Sequence, residues 1–402
     1  MTSRQRAVMV ALLGATITLS GCTPVQPIIT GPSTTPTGPP TTTPGVPATS
    51  PTNPSSAGPP TVTPFKTSGA WAALHDAQGC PTTPWVPSMH TGLALLSLTS
   101  ISDCAVFVTR SDIPLGVWSR GGLDVFPSMS EPAEVSPPSS SVVPFPGGFW
   151  LATYDTSDPN VVSVPALWSE RRDHPVRVSL PADFCGFEAL SPYVPGLLVA
   201  GDTGRCQSSS TTDSVLYSVG ADDHATLLKA FPQAHVYSTG SDGNDIAVAG
   251  ITITGQAFVA VWYGQEWVES TLGPAGRVAG VTIHGDTIVT VYNEVKNRAP
   301  VALVTAISHD RGRTWATART PNGDAGIGLL GYLGSTLIGE LYLPDATTWL
   351  YTLTTSDTWE PLKGVPEPAT EGIAHAALAP CGFWIYQGFT LTYHTVTGVC
   401  PD

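Results

Sequence analysis

Ser308-His309-Asp310-Arg311-Gly312-Arg313-Thr314-Trp315 is the stretch on which the reading of this chain turns. An apolar run, Val301 to Ile307, leads into it, and a second short run, Trp315 to Arg319, leaves it. Between two strand-like runs, a polar loop of this composition is a turn with a mechanism. The Asp310 carboxylate can accept amide hydrogens of its own turn. Gly312 permits a backbone conformation that strains other residues. Trp315 offers a large apolar face for packing.

Working outward, Ala306-Ile307-Ser308 is one of a series. Val117-Trp118-Ser119, Leu167-Trp168-Ser169, Leu216-Tyr217-Ser218 and Val261-Trp262-Tyr263 precede it; Leu353-Thr354-Thr355 and Thr392-Tyr393-His394 follow. Their middle residues lie 39–50 residues apart. A period of about 45 is that of four-stranded propeller blades. Two units show the plan best. Val278–Ile283, Asp286–Tyr292, Val301–Ile307 and Trp315–Arg319 form one; Ile327–Tyr332, Ser335–Leu341, Thr348–Leu353 and Trp359–Leu362 repeat it. No long stretch has helical period with caps. The expectation is an all-β, seven-bladed β-propeller over 65–402, with six blades as the alternative. The last blade looks one strand short, and Phe65 to Leu74 is a candidate to complete it.

The octapeptide resembles the Asp-box, or BNR repeat, of sialidase-type propellers, Ser/Thr-x-Asp-x-Gly-x-Thr-Trp. Ser308, Asp310, Gly312, Thr314 and Trp315 match all five signature positions. Thr355-Ser356-Asp357-Thr358-Trp359 is similar to a shortened copy without its Gly, and Val261 to Trp267 keeps only the closing Trp. The resemblance implies a fold element on the face away from the ligand, so Asp310 is expected to be structural. It does not carry the family's catalysis with it. The three arginines that hold the substrate carboxylate find only an echo in Arg110-Ser111-Asp112-Ile113-Pro114, in the wrong order, and Arg171, Arg172 and Arg177 share one outer region. Tyr292 and Glu294 are the alternative catalytic pair, a nucleophile with its base. No Gly-x-Ser-x-Gly and no phosphate-binding Gly loop followed by Lys is present.

The ends of the 402-residue chain differ sharply in composition. Arg4 and Arg6, an uncharged run from Ala7 to Ile17, and Leu19-Ser20-Gly21-Cys22 have the layout of a signal peptide over 1–21. The tetrapeptide resembles the lipobox of bacterial lipoproteins, which implies cleavage before Cys22 and acylation of its thiol. Diacylglycerol and palmitate chains would then hold the protein on the membrane, since more than one chain is needed for a stable anchor. Residues 22–64 form a linker. Thr23–Pro64 has no charged side chain and contains 13 Pro, 12 Thr and 4 Ser, so it is expected to be a disordered stalk without a core.

Charge and cysteines bound the function. All 31 Asp and Glu lie in 65–402, against 15 of the 17 Lys and Arg; the whole-chain net charge is −14. That excludes a general nucleic-acid binder, which needs a basic face. Cys80, Cys104, Cys185, Cys206, Cys381 and Cys400 are an even set in a chain read as exported, and suggest three disulfides. Pairings by local loop are Cys80–Cys104, Cys185–Cys206 and Cys381–Cys400; Cys80–Cys400 is the rival. No Cys-x-x-Cys or His-x-x-x-His spacing occurs, the nine His are scattered, and Asp242-Gly243-Asn244-Asp245 reads as a plain turn, so neither metal nor cofactor is expected. The functional expectation is a lipid-anchored, extracytoplasmic binding or assembly module with a protein or glycan ligand. The alternative is a glycoside-cleaving enzyme.

Overall fold

Short runs rich in Val, Ile, Leu and aromatic residues, broken by Gly, Asp and Asn, fold as antiparallel strands. The computed structural model describes residues 95–396 apart from 103–104, 111–112, 120–121, 126–141, 146–147, 156–163, 172–173, 195, 205–212, 244, 298, 320–325, 343–347, 364–374, 380 and 388–389. The chain divides into two units, Met1–Pro60 and Thr61–Asp402, and every described residue belongs to the second. The predicted signal peptide, Cys22 and the linker lie outside the described residues, as do Cys80, Cys104, Cys206 and Cys400.

Three sheets come first. Leu95–Ser102 (β1), Ala105–Arg110 (β2), Ile113–Ser119 (β3) and Gly122–Val125 (β4) form one. Val142–Phe145 (β5), Gly148–Asp155 (β6), Val164–Arg171 (β7) and His174–Val178 (β8) form the next. Phe184–Tyr193 (β9), Gly196–Thr203 (β10), Ser214–Val219 (β11) and Ala225–Phe231 (β12) form the third. A seven-stranded sheet then runs through Ala234–Asp242 (β13), Asp245–Thr252 (β14), Gln256–Trp262 (β15), Trp267–His284 (β16), Thr287–Lys296 (β17), Ala299–Ser308 (β18) and Ala316–Thr317 (β19). Gly326–Leu333 (β20), Thr336–Tyr342 (β21), Thr348–Leu353 (β22) and Trp359–Pro361 (β23) make another four-stranded sheet. His375–Ala379 (β24), Gly382–Gln387 (β25) and Thr390–Thr395 (β26) make a three-stranded one. Within every sheet the strands pair in chain order.

The inner strands β1, β5, β9, β13, β16, β20 and β24 each pack beside the next, and β24 returns to β1. A closed ring of inner strands, with sheets running outward from it, is a β-propeller. Six of the seven landmark residues lie on third strands, β3, β7, β11, β15, β18 and β26, and Thr354 directly follows β22.

The expectation of seven separate four-stranded blades needs correction. Four discrete four-stranded sheets form. Gly273-Pro274-Ala275-Gly276 has the composition of a breaker, yet β16 runs through it. Its first part, from Trp267 to Pro274, pairs with β15, and from Ala275 to His284 it pairs with β17. The chain changes partners at this point without leaving the extended conformation, and two sheets fuse.

The core lies between sheets. Trp150 and Leu167 of the second sheet pack with Phe187, Leu197 and Tyr217 of the third. Ala189, Leu198 and Leu216 of the third meet Val236, Ile246 and Phe258 of the seven-stranded sheet. Second strands are covered on both faces, so they read as continuous apolar runs: Gly196 to Gly201 of β10 are all buried. Outer strands have only one covered face, and β12 is mostly exposed or half-buried.

Candidate functional site

The ring has two ends with different chemistry. One end carries the turns from first to second strands and from third to fourth. The Ser308–Trp315 turn sits there, against the β16–β17 turn: the Arg311 N–H donates to the Asp286 carbonyl at 3.1 Å, and Arg311 Nε to Asp286 Oδ1 at 2.6 Å.

The hub of that turn, Asp310, is satisfied from within. Asp310 Oδ1 accepts from Ser308 Oγ (2.9 Å) and the Thr314 N–H (2.8 Å), and Oδ2 accepts from Thr314 Oγ1 (2.7 Å). Ser308 Oγ accepts from the Gly312 N–H at 2.8 Å. Arg311 and Gly312 both have positive φ, 64° and 78°, which explains the glycine. Trp315 packs against the core between β14–β15 and β16–β17, and its Nε1 donates to the Gly312 carbonyl at 3.0 Å. The Thr314 N–H, then the Thr314 and Ser308 hydroxyls, hold the Asp310 carboxyl down at about 2. Among the described residues, the hydrogen bonds of this carboxylate lie within its own turn.

Asp242 and Asp245 flank the β13–β14 turn at this same end, with Gly243 at φ 64°. Asp242 Oδ2 accepts from the Gly285 N–H of the neighbouring turn and lies 3.6 Å from His284 Nδ1. Asn244 is outside the described residues.

The opposite end carries the turns from second to third strands and the passages between sheets. Here the structure brings together three residues that sequence reasoning did not single out. His235, near the start of β13, has Nε2 3.3 Å from Glu188 Oε1 on β9 and Nδ1 3.2 Å from Asp202 Oδ1 on β10. Their side chains are 27%, 24% and 23% exposed, so the cluster is half-buried with one open side. Ser214 Oγ on β11 donates to Asp202 Oδ1 at 2.9 Å and accepts from the Val236 N–H at 3.1 Å. Burial works against charge on the imidazole and is the largest single influence. Hydrogen bonds to Asp202 and Glu188, with their charges, outweigh it and push the ring up to about 10. The Tyr237 ring meets the His235 ring edge-on at 4.4 Å. Burial, then the Glu188 charge, raises the Tyr237 phenol, and Arg277 on β16 acts in the other direction. By strand register Glu188 corresponds to Tyr237, not to His235, so the repeat spacing gave no signal for this cluster.

The alternative catalytic pair, Tyr292 and Glu294, lies on β17. Tyr292 on β17 is 8% exposed and belongs to the core between sheets. Burial first, then the Glu294 charge, raises its phenol, which opposes a phenolate nucleophile. Glu294 Oε2 lies 3.5 Å from Lys296 Nζ. Arg110 and Arg171 end β2 and β7, and Arg172 lies outside the described residues. Arg177 on β8 is exposed and lines a recess of about 420 Å³ with Leu180 and Phe184. Of the cysteines, Cys185 on β9 and Cys381 beside β25 are described, and both are disulfide-bonded. Cys185 Sγ lies 3.3 Å from the carbonyl oxygens of Asp183 and Gly204.

Fold and site together define the class: an all-β propeller with a half-buried Glu188–Asp202–His235 cluster at one end of its ring. No family model matches the chain, and no curated protein matches it. Among solved structures it is similar to YCF48 bound to D1 peptide, at 11% identity over 80% of this chain and 98% of that one, with a TM-score of 0.48. It is also similar to a puromycin hydrolase, at 15% identity over 69% of this chain and 46% of that one, TM-score 0.46. Pyrococcus horikoshii acylaminoacyl peptidase matches at 10% identity over 77% of this chain and 53% of that one, TM-score 0.46. The chain thus spans about half the length of the hydrolase and the peptidase.

Proposed function

We propose that this chain is a lipid-anchored, extracytoplasmic binding module whose non-catalytic propeller presents the Glu188–Asp202–His235 end to a protein or glycan ligand. The observation that carries the reading is the contrast between the two ends. The Asp310 carboxylate, the hub of the Ser308–Trp315 turn, has its hydrogen bonds within that turn, in keeping with the Asp-box resemblance. The other end concentrates half-buried charge on strands of adjoining sheets. Nothing about Tyr292 or Glu294 favours glycoside cleavage.

Two finer readings belong to the same proposal. Counting the fused sheet as two blades, joined by β16, gives seven; the closed succession of seven inner strands supports that count, with Phe65 to Leu74 completing the last blade. Local disulfides Cys185–Cys206 and Cys381–Cys400 are supported by the approach of Cys185 Sγ to Gly204 and by the 3.0 Å hydrogen bond from the Val396 N–H to the Cys381 carbonyl. The anchor rests on the lipobox resemblance at Cys22.

Labelling cells with an alkyne fatty acid tests the anchor: wild type is tagged and Cys22→Ser is not. A glycan and peptide array, run beside fluorogenic glycoside hydrolysis, tests the module. Binding without turnover is expected. Turnover abolished by Tyr292→Phe overturns the non-catalytic reading, and a blank array overturns the binding one.

A further inference from the structure

We propose that Glu188, Asp202 and His235 bind a divalent transition-metal ion of the zinc type. This deepens the reading above, resting on the same end of the ring as the ligand-binding end. The three side chains come from three strands, β9, β10 and β13, of two sheets. One His235 nitrogen and one oxygen of each carboxylate all lie within 4.8 Å of one another. Donors around an ion with bonds of about 2.1 Å stand roughly 3–4 Å apart. Closing to that spacing takes side-chain rotation together with release to solvent of the proton on the ring nitrogen that binds the ion.

The rotation needed is specific. At present Nε2 faces Glu188 and Nδ1 faces Asp202. An ion takes one nitrogen of the ring, so one carboxylate swings from its present nitrogen to the shared ion. Ser214 favours Glu188 as the one that moves, because its hydroxyl bridges Asp202 Oδ1 and the Val236 N–H and holds Asp202 from behind. Groups of this kind orient metal ligands in general. Imidazole with two carboxylates suits zinc and similar borderline ions and disfavours ions that prefer sulfur. Three protein donors leave at least one coordination position free. All three side chains remain partly exposed, so an oxygen donor of a ligand can reach that position.

The test uses the full chain, stripped with chelator and then titrated with zinc chloride by calorimetry, and in parallel with cobalt chloride followed by visible absorption. One ion per chain and a cobalt d–d spectrum are expected. His235→Gln and Glu188→Gln should each weaken zinc binding by about tenfold or more, and Ser214→Ala by roughly tenfold. The cobalt spectrum needs no variant, so a misfolded substitution does not blunt the test. Folded wild type that takes up neither metal overturns the inference, as does equal zinc affinity in wild type and His235→Gln; the triad is then an ion bridge between two sheets. Zinc bound with a blank array supports this inference and overturns the binding reading. Array binding with no metal uptake does the reverse.

Discussion

The turn at Ser308–Trp315 and the turn at Thr354–Trp359 occupy the same place in adjacent repeats, and they hold themselves together differently. In the longer one a carboxylate is the hub, with Asp310 receiving two hydroxyls and an amide. In the shorter one, two residues fewer, the hub is the Thr354 hydroxyl. It donates to the Thr358 carbonyl at 3.0 Å and lies 3.3 Å from the Thr358 N–H. Asp357 takes the positive φ, 56°, a conformation that Asp tolerates better than most residues. Its carboxylate turns away to His309 of the longer turn, 3.0 Å from Nε2. The closing tryptophans differ as well. Trp315 is half-buried, whereas Trp359 is 1% exposed and donates to Thr305 Oγ1 at 3.3 Å. Where the polar hub is small, the indole sits deeper.

The largest effect should therefore come from the shorter turn. Trp359→Ala leaves a cavity among Val291, Ile307, Leu329 and Leu341 and is expected to cost about 3–5 kcal/mol. Trp315→Ala, removing a half-buried ring, should cost roughly half as much. Chemical denaturation of both variants checks the order. Equal losses, or a greater loss for Trp315→Ala, would break the proposed trade between hub and indole.

How much of this was legible beforehand depends on the range of the interaction. The Ser308–Trp315 turn was readable because the partners of its Asp310 hub all lie within eight residues. Its shorter relative was readable only as a motif. Thr355-Ser356-Asp357-Thr358-Trp359 resembles the motif in its letters, but in the shorter turn the Thr354 hydroxyl is the hub. Strand positions were close: Asp286–Tyr292 became Thr287–Lys296, and Thr348–Leu353 was found as expected. The fusion of two sheets through β16 was not legible, because local sequence says nothing about the partner strands waiting on either side of Gly273-Pro274. The Glu188–Asp202–His235 cluster was least visible. Its members approach through strand pairing and the neighbouring sheet, and no spacing in the sequence links them.

Acid should separate the two hubs by a smaller margin. The Asp310 carboxyl titrates at about 2 in the folded chain, below the ordinary 3.8. A carboxyl depressed by folding contributes stability that is fully present above its ordinary pKa and is lost as pH falls through the folded value. Melting temperatures of wild type and Asp310→Asn should therefore differ most above pH about 4 and converge toward pH about 2. The Thr354 hub has no titrating atom, so the difference between wild type and Thr354→Val should not close over that window in the same way. A gap between wild type and Asp310→Asn that stays constant from pH about 6 to 2 would remove Asp310 from the role of charged hub.

The smallest effect concerns the contact that joins the turns. His309 reaches Asp357 through Nε2 at 3.0 Å and faces Thr287 Oγ1 through Nδ1 at 3.3 Å. The side chains are 55% and 27% exposed, so water and salt compete with the pair. Exposed pairs of this kind contribute about 0–1 kcal/mol. A double-mutant cycle on His309→Ala and Asp357→Ala isolates the coupling from whatever each residue does alone. Coupling of a few tenths of a kcal/mol, roughly halved when salt is raised to about 1 M, is expected, since the screening length then falls to about 3 Å. That result leaves each turn as an independent unit, stabilised by its own hub and its own tryptophan. Coupling well above about 1 kcal/mol and insensitive to salt would mean the two turns act as one, and that the turn lacking an inward carboxylate depends on its neighbour.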